Sequence, residues 1–454
     1  MEINVNNDIR IKLADLPEPA LIELKSRLRF KNPAYQENIK YGRWNGNTPE
    51  LLYFIWCDGD YAVIPRGFIY QFMRVLAMYG IKYTIKSGIL TLPEVSFSFK
   101  GNLHHYQKKA VTAILSKNHG VLHAPTGSGK TVIALKAITE RIQPALVVVH
   151  TKELLHQWKQ RAIEYLGLSE KEIGLIGEGK KTVGKQLTIG IINSLVNSLN
   201  LVKDKVGFLI IDECHHCPSK TFTDVVSEFN SAYMLGLSAT PYRRDGLTRV
   251  IYFYLGDKIH EIESKVLQDS NHVITATLEV VETGFDYPYN DDYSAMITAL
   301  TKDTDRNALI TETVLNNLDG DNGIALVLSE RKEHCLELQD RLLDHRVKAA
   351  LLLGDTGTKE RKQTIAGLNA GAYKALVATS SLIGEGFDLP AISSIFLTTP
   401  VKFQGRLTQY VGRALRTAKG KTGAKVFDFV DLNGVLQASF RSRLHTYERL
   451  GVII

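Results

Sequence analysis

The stretch "GVLHAPTGSGKT" (120–131) runs a short apolar segment straight into a glycine-rich loop, and "TVIALKAITERI" (131–142) continues with apolar residues at helical spacing. Gly127 and Gly129 leave backbone N–H groups free to converge on phosphate oxygens. Lys130 adds positive charge, and Thr131 adds a hydroxyl suited to Mg²⁺. Thr126 and Ser128 complete the loop, and the dipole of the helix that follows favours the same anion. Ala124 stands where the usual pattern opens on glycine, so the loop is a variant. A chance glycine-rich turn would share these residues, but the strand before and helix after are the context a phosphate loop needs.

Working outward, the same alternation continues. Apolar, β-branched runs recur at "ALVVVH" (145–150), "LTIGII" (187–192), "FLIIDE" (208–213) and "YMLGLSAT" (233–240), separated by helical patterns. A second series follows at "GIALVLS" (323–329), "AALLLG" (349–354), "ALVAT" (375–379), "SSIFLTT" (393–399) and "AKVFDFV" (424–430). Such runs predict parallel sheets buried by helices on both faces, in two tandem α/β domains over 99–262 and 305–454. The text between them, 263–304, turns polar and irregular, as a connector or small insertion would. Residues 1–98 read as a small α+β domain. In it "LLYFIWC" and "DYAVIP" flank the turn dipeptide Asp58-Gly59, and "IKYTIKSGILTLP" suggests a second hairpin around Ser87-Gly88.

Length agrees, since 454 residues divided by a typical domain of about 150 gives about three domains. Hydrophobic residues make up 44% and charged residues 23%, which excludes a disordered or fibrous chain. No apolar run reaches membrane-spanning length and the opening "MEINVNNDIR" lacks the order of a signal peptide, so an intracellular, cytoplasmic protein is expected. Four scattered cysteines make no disulfide framework. The "CHHC" run (214–217) packs its four residues consecutively with no second ligand pair, which argues against a zinc site. From residue 401 onward ten Lys/Arg stand against three Asp/Glu, a net +7 that equals the charge of the whole chain. A basic tail fits a polyanionic partner, although a solvated basic face would look the same.

"LIIDECHH" (209–216) places Asp212 and Glu213 at the end of an apolar strand, at the carboxyl edge where open α/β sheets bind ligands. Two acids there suit a division of labour in which Asp212 holds Mg²⁺ and Glu213 orients or deprotonates the attacking water. Hydrolysis also needs positive charge on the developing phosphoryl oxygens. Arg413 and Arg416 in "QYVGRALR" (409–416) offer it from one face of a helix, in the second α/β unit.

With these motifs in this order, the chain resembles the superfamily 2 helicases and translocases across about residues 100–435. The resemblance implies two RecA-like domains, ATP and Mg²⁺ as cofactors, and a nucleic-acid partner. By it, Gln107 in "LHHYQKKAV" is similar to the glutamine that reads adenine. Thr151 and Lys152 in "HTKELLHQW" resemble phosphate contacts to the bound strand, as does Thr379 in "VATSSLIGEGFD", whose Gly386 and Asp388 approach the nucleotide. His215 and Gln409 look like the pair linking the acidic motif to the second domain, Ser238 and Thr240 like the segment coupling hydrolysis to domain movement, and Arg413 and Arg416 like arginine fingers.

The Asp-Glu-Cys-His spelling and "SATPYRRDG" (238–246) resemble the XPB/Rad25-like DNA translocases, and "KYGRWNG" (40–46) is similar to the accessory domain of UvsW-type phage branch-migration helicases. On that likeness Tyr41, Arg43 and Trp44 combine charge with stacking surface for a branched or frayed DNA end. An aromatic hairpin core would use Tyr41 and Trp44 equally well. The expected function is an ATP-dependent, sequence-independent DNA helicase or translocase acting on duplex or branched DNA. An RNA helicase, the motor of a restriction or defence complex, and a nucleotide-switched DNA-binding protein are the alternatives.

Overall fold

A computed structural model describes residues 1–454 apart from 217–219, 240–246, 270–273, 319–322, 381, 383–388, 390, 402–406, 409, 413–414, 416–420 and 422, and apart from the side chains at 216, 220, 264, 268, 269 and 358. The chain divides into two compact units, one from Met1–Ala124 with Gly129–Ile262, the other from Glu263–Ile454 with Pro125–Ser128.

The first unit holds two main sheets and a two-stranded antiparallel pair, Arg29–Lys31 with Leu51–Tyr53. Strands β1 (Glu2–Val5), β2 (Asp8–Lys12), β3 (Trp56–Asp58), β4 (Tyr61–Pro65) and β5 (Thr84–Ser87) form a sheet of order β3-β4-β2-β1-β5. The expected hairpin between β3 and β4 is present, with Asp58 paired to Tyr61 and Gly59 at φ +57°. The second expected hairpin is absent. β5 pairs parallel to β1, Gly88 donates its N–H to the Val5 carbonyl, and Leu90 bridges to Ser231. Gly88 lacks the positive φ a tight turn requires, and its α-carbon faces the Asn6 side chain.

The larger sheet has strands β6 (His119–His123), β7 (Ala145–Val149), β8 (Ile173–Gly177), β9 (Leu187–Ile191), β10 (Phe208–Ile211), β11 (Tyr233–Ser238) and β12 (Lys258–Glu261), ordered β8-β9-β7-β10-β11-β6-β12 and parallel throughout. The short antiparallel strand Lys180–Lys181 edges β8. The uninterrupted burial of β6, β7 and β10 is what a parallel sheet covered on both faces requires. The order places the carboxyl ends of β6, β11 and β10 side by side, which brings Ala124, Ser238 and the two acids to one edge.

The small sheet is fused to the large one. Phe253, on the helix Thr248–Leu255, sits in the small domain's core against Phe54 and Phe68. Gly67 packs on the backbone of Tyr254 and Leu255 so closely that any Cβ would collide with it. Arg66 is 2% exposed, and its guanidinium donates to His119 Nε2 at 2.7 Å and to the carbonyls of Ser231 and Asn6.

In the second unit strands β13 (Ala276–Glu282), β14 (Ile324–Ser329), β15 (Ala349–Leu352), β16 (Ala375–Thr379), β17 (Ile392–Leu397) and β18 (Ala424–Val430) form a parallel sheet of order β13-β18-β17-β14-β16-β15. The stretch 263–304, read as irregular, contains β13, paired over seven residues with β18, and the helix Tyr293–Lys302. The alternation "ATLEVVE" was masked by the polar text around it; β13 pairs with β18 on one side, bridges Ile453 through Thr277 on the other, and carries Glu279 and Glu282 at exposed positions.

Candidate nucleotide and nucleic-acid sites

Gly127 and Gly129 adopt φ of +88° and +76°, conformations that favour glycine, and the helix Lys130–Arg141 starts directly after them. Gln107 closes on this loop. Its Oε1 accepts from the His104 N–H at 3.0 Å, while its Nε2 lies where a Cβ on Gly129 would come within 2.5 Å. The adenine-reading candidate and the phosphate loop are thus adjacent.

Asp212 follows the last residue of β10, buried. Its Oδ2 accepts from Trp158 Nε1 at 2.7 Å and its Oδ1 from the Glu213 N–H at 2.9 Å. Burial, then the neighbouring Glu213 charge, raise its pKa to about 6 against the opposing pull of Lys130 and Trp158. Glu213 sits at φ +45°, a left-handed conformation that costs a non-glycine residue about 1–2 kcal/mol. That turn aims its carboxylate at the loop: Oε1 is 3.4 Å from Lys130 Nζ, which also donates to the Ala124 carbonyl at 3.3 Å. On the other side Oε2 lies 3.3 Å from His215 Nδ1 and accepts from the Ala239 N–H at 3.4 Å. His215 Nδ1 is also 3.1 Å from Ser238 Oγ. Lys130, Glu213, His215 and Ser238 therefore form one continuous polar contact.

Trp158, which spacing alone does not reveal, touches the candidate site through its hydrogen bond to Asp212. It belongs to the helix Lys152–Leu166, whose buried face also carries Leu154, Leu155, Ala162 and Leu166. Thr151 caps that helix by accepting from the Leu154 N–H at 3.2 Å, and Lys152 is its first residue.

In the second unit Thr379 ends β16, buried, with its Oγ1 lacking a hydrogen-bond partner among the described residues. In the small domain Trp44 is 91% and Tyr41 58% exposed, with the Arg43 guanidinium 5.2 Å and Lys40 Nζ 5.6 Å from the Tyr41 ring centre. The hairpin-core alternative for these aromatics is ruled out by that exposure. Thr240, Gly386, Asp388, Gln409, Arg413 and Arg416 lie outside the described residues. Among the described residues no helix is long and apolar enough to cross a membrane.

Residues 100–243 match the family described as type III restriction enzyme, res subunit, and residues 306–418 match the helicase conserved C-terminal domain. The chain belongs to the superfamily 2 helicases. This helicase is 26% identical over 396 residues to the DNA 3'-5' translocase XPB2 of Sulfurisphaera tokodaii, covering 80% of this chain and 89% of that one. It is 24% identical over 482 residues to the ATP-dependent DNA helicase uvsW of Enterobacteria phage T4, covering 98% and 93% respectively. Among solved structures S. cerevisiae Dbp5 bound to RNA and ADP BeF3 shares its fold with a TM-score of 0.56 and 17% identity, covering 77% of this chain and 88% of that one. The helicase is a nucleic-acid-dependent ATPase built on RecA-like domains.

Proposed function

We propose that this helicase is a DNA-dependent ATPase that remodels duplex or branched DNA in recombination, repair or replication restart. The observation that carries the DNA assignment is the similarity to the phage T4 DNA helicase over 98% of the chain, which includes the small domain as well as the motor. The exposed Trp44 beside Arg43 supports a stacking and phosphate-binding role there.

In this reading Gln107 and the loop from Thr126 to Thr131 hold ATP, with Lys130 on its terminal phosphates. Thr131 and Asp212 hold Mg²⁺: a buried carboxylate with its pKa raised to about 6 is under-compensated, and a divalent cation supplies the missing positive charge. Glu213 accepts the proton of the attacking water, and His215 with Ser238 and Thr240 passes its state onward. Gly386, Asp388, Gln409, Arg413 and Arg416 complete the nucleotide site, while Thr151, Lys152 and Thr379 hold strand phosphates. Phosphate contacts carry little sequence information, so structure rather than sequence selects the substrate.

Steady-state ATP hydrolysis at one fixed salt concentration tests the proposal, with no nucleic acid, single-stranded DNA, plain duplex, forked or four-way DNA, and RNA as activators. Strongest stimulation by forked or four-way DNA is expected. Stimulation by RNA alone overturns the DNA assignment and leaves the motor in place.

A further inference from the structure

The helix Thr248–Leu255 joins two regions of the first unit. On one side it holds the strand pair Arg29–Lys31 and Leu51–Tyr53, the neck between whose strands residues 32–50, with Tyr41, Arg43 and Trp44, are looped. The neck is closed: the Asn32 N–H donates to the Glu50 carbonyl and its Nδ2 to the Pro49 carbonyl, both at 2.8 Å. Phe30 of the neck stacks on Phe54 with 5.5 Å between ring centres, and the two rings lie 6.4 and 5.2 Å from that of Phe253. Arg249 completes the grip, its guanidinium 5.6 Å from the Phe30 ring centre and its Nη2 donating to the Arg27 carbonyl at 2.6 Å.

The other side reaches the strand end beside Lys130. Successive residues of a helix point about 100° apart, so Tyr252 leaves it a little over a quarter turn round from Phe253. The Tyr252 hydroxyl lies 3.2 Å from Nε2 of His123, the last residue of β6. Burial keeps that ring neutral, with a pKa lowered to about 4, and among the described residues its Nδ1 has no partner. The backbone at His123 is a junction. Its carbonyl accepts from the Ile262 N–H at 2.9 Å, the Ala124 N–H donates to the Ser238 carbonyl at 2.9 Å, and the Ala124 carbonyl accepts from Lys130 Nζ at 3.3 Å. Buried Val250, Ile251 and Leu255 hold the helix in the motor, so a load on Arg249 and Phe253 is carried to Tyr252 within one turn.

We propose that this helix relays the engagement of forked DNA by residues 32–50 to the ATP site: Arg249 receives it from the neck, and Tyr252 passes it through His123 to the carbonyl that holds Lys130. Arg249 and Tyr252 are then positioning residues for DNA-stimulated hydrolysis. The proposal rests on the reading of Trp44 as a DNA contact and of Lys130 as the lysine on the ATP phosphates. Lying between two sites is not coupling by itself, so the test measures coupling.

The experiment compares the full chain as wild type, Trp44→Ala, Tyr252→Phe, the double variant of these two, Arg249→Met and Arg249→Lys. ATP hydrolysis is followed without nucleic acid and with saturating forked DNA, and DNA affinity by fluorescence anisotropy. Tyr252→Phe is expected to keep unstimulated hydrolysis and DNA affinity within about two-fold while stimulation falls about five-fold, inside the factor of roughly 2 to 30 by which residues touching neither ligand alter coupling. Arg249→Met is expected to lose stimulation likewise, and Arg249→Lys, which keeps a cation on the rings, to retain more of it. Trp44→Ala lowers stimulation too, and the double variant is expected to match the lower of its two single variants, as members of one line do. Full stimulation in Tyr252→Phe overturns the relay. A parallel fall of stimulated and unstimulated rates overturns it as well, since that marks a merely structural tyrosine, and so does a double variant whose losses multiply. Failure of the underlying reading looks different: Trp44→Ala with wild-type affinity and wild-type stimulation takes residues 32–50 off the DNA and the relay with them, while a wild-type chain that forked DNA does not stimulate overturns the DNA assignment itself.

Discussion

Trp158 and Asp212 share one hydrogen bond, 2.7 Å from indole Nε1 to carboxylate Oδ2, inside a site where burial has already driven that carboxyl to a pKa of about 6. The indole favours the ionised form, the form that would bind Mg²⁺ under the proposed function. Trp158→Phe keeps an aromatic ring and removes the donor. The acid limb of kcat/KM for ATP, which reports the free enzyme, is therefore expected to move to higher pH, and a pH–rate profile of the two proteins checks it.

The same carboxyl makes a stability prediction. Its folded pKa lies above the ordinary value of 3.8, so the fold holds the proton more tightly than the unfolded chain does. That contribution is complete below pH 3.8 and is lost as pH rises to about 6. Asp212→Asn cannot ionise. The melting-temperature difference between variant and wild type should move in the variant's favour between about pH 4 and 6 and level off above, while hydrolysis is lost throughout. A difference flat across that window contradicts the assignment.

At Gly129 two costs combine. Alanine there would have to adopt φ +76° and would press on Gln107 Nε2. A left-handed residue costs about 1–2 kcal/mol whatever the space, whereas the collision can be relieved. Gly129→Ala is expected to lower ATP affinity and thermal stability, and adding Gln107→Ala to restore stability in part. Calorimetric melts of the single and double variants separate the two costs.

Trp44 contributes little to the fold because it buries little. Trp44→Ala is expected to leave stability within about 0.5 kcal/mol. Loss of a stacking platform weakens nucleic-acid binding by about 1–3 kcal/mol, which fluorescence anisotropy with single-stranded and forked DNA would register. Unchanged binding to both removes the small domain's loop from the interface.

The two motor sheets were legible because parallel strands buried on both faces write themselves as continuous apolar runs. "ALVVV" and "FLII" could sit in no half-exposed sheet. Edge strands were not legible: β13 carries Glu279 and Glu282 at exposed positions and reads as polar text, and β5 looked like half a hairpin because Ser87-Gly88 resembles a turn when the parallel partner β1 lies about eighty residues away. Among the candidate site residues, Lys130, Asp212 and Glu213 were singled out by type and spacing, and the structure brings them together. Trp158 was not, since its tie to Asp212 is a tertiary hydrogen bond that no local pattern encodes. Its place inside an already quoted motif was the one available signal.

Arg66 is a buried cation whose recorded partners are all neutral, and burial alone pulls its pKa down to about 10. Such a group is tolerable only while the His119 ring and the Ser231 carbonyl stay in place around it. The N-terminal head is therefore no detachable module. A motor trimmed at residue 99 would lose its plug and bare Phe253, and an isolated head would carry a charge with nothing to solvate it on that side. Grafting this head onto another motor would mean transplanting the socket too: the Phe253 helix, His119 and the turn at Ser231.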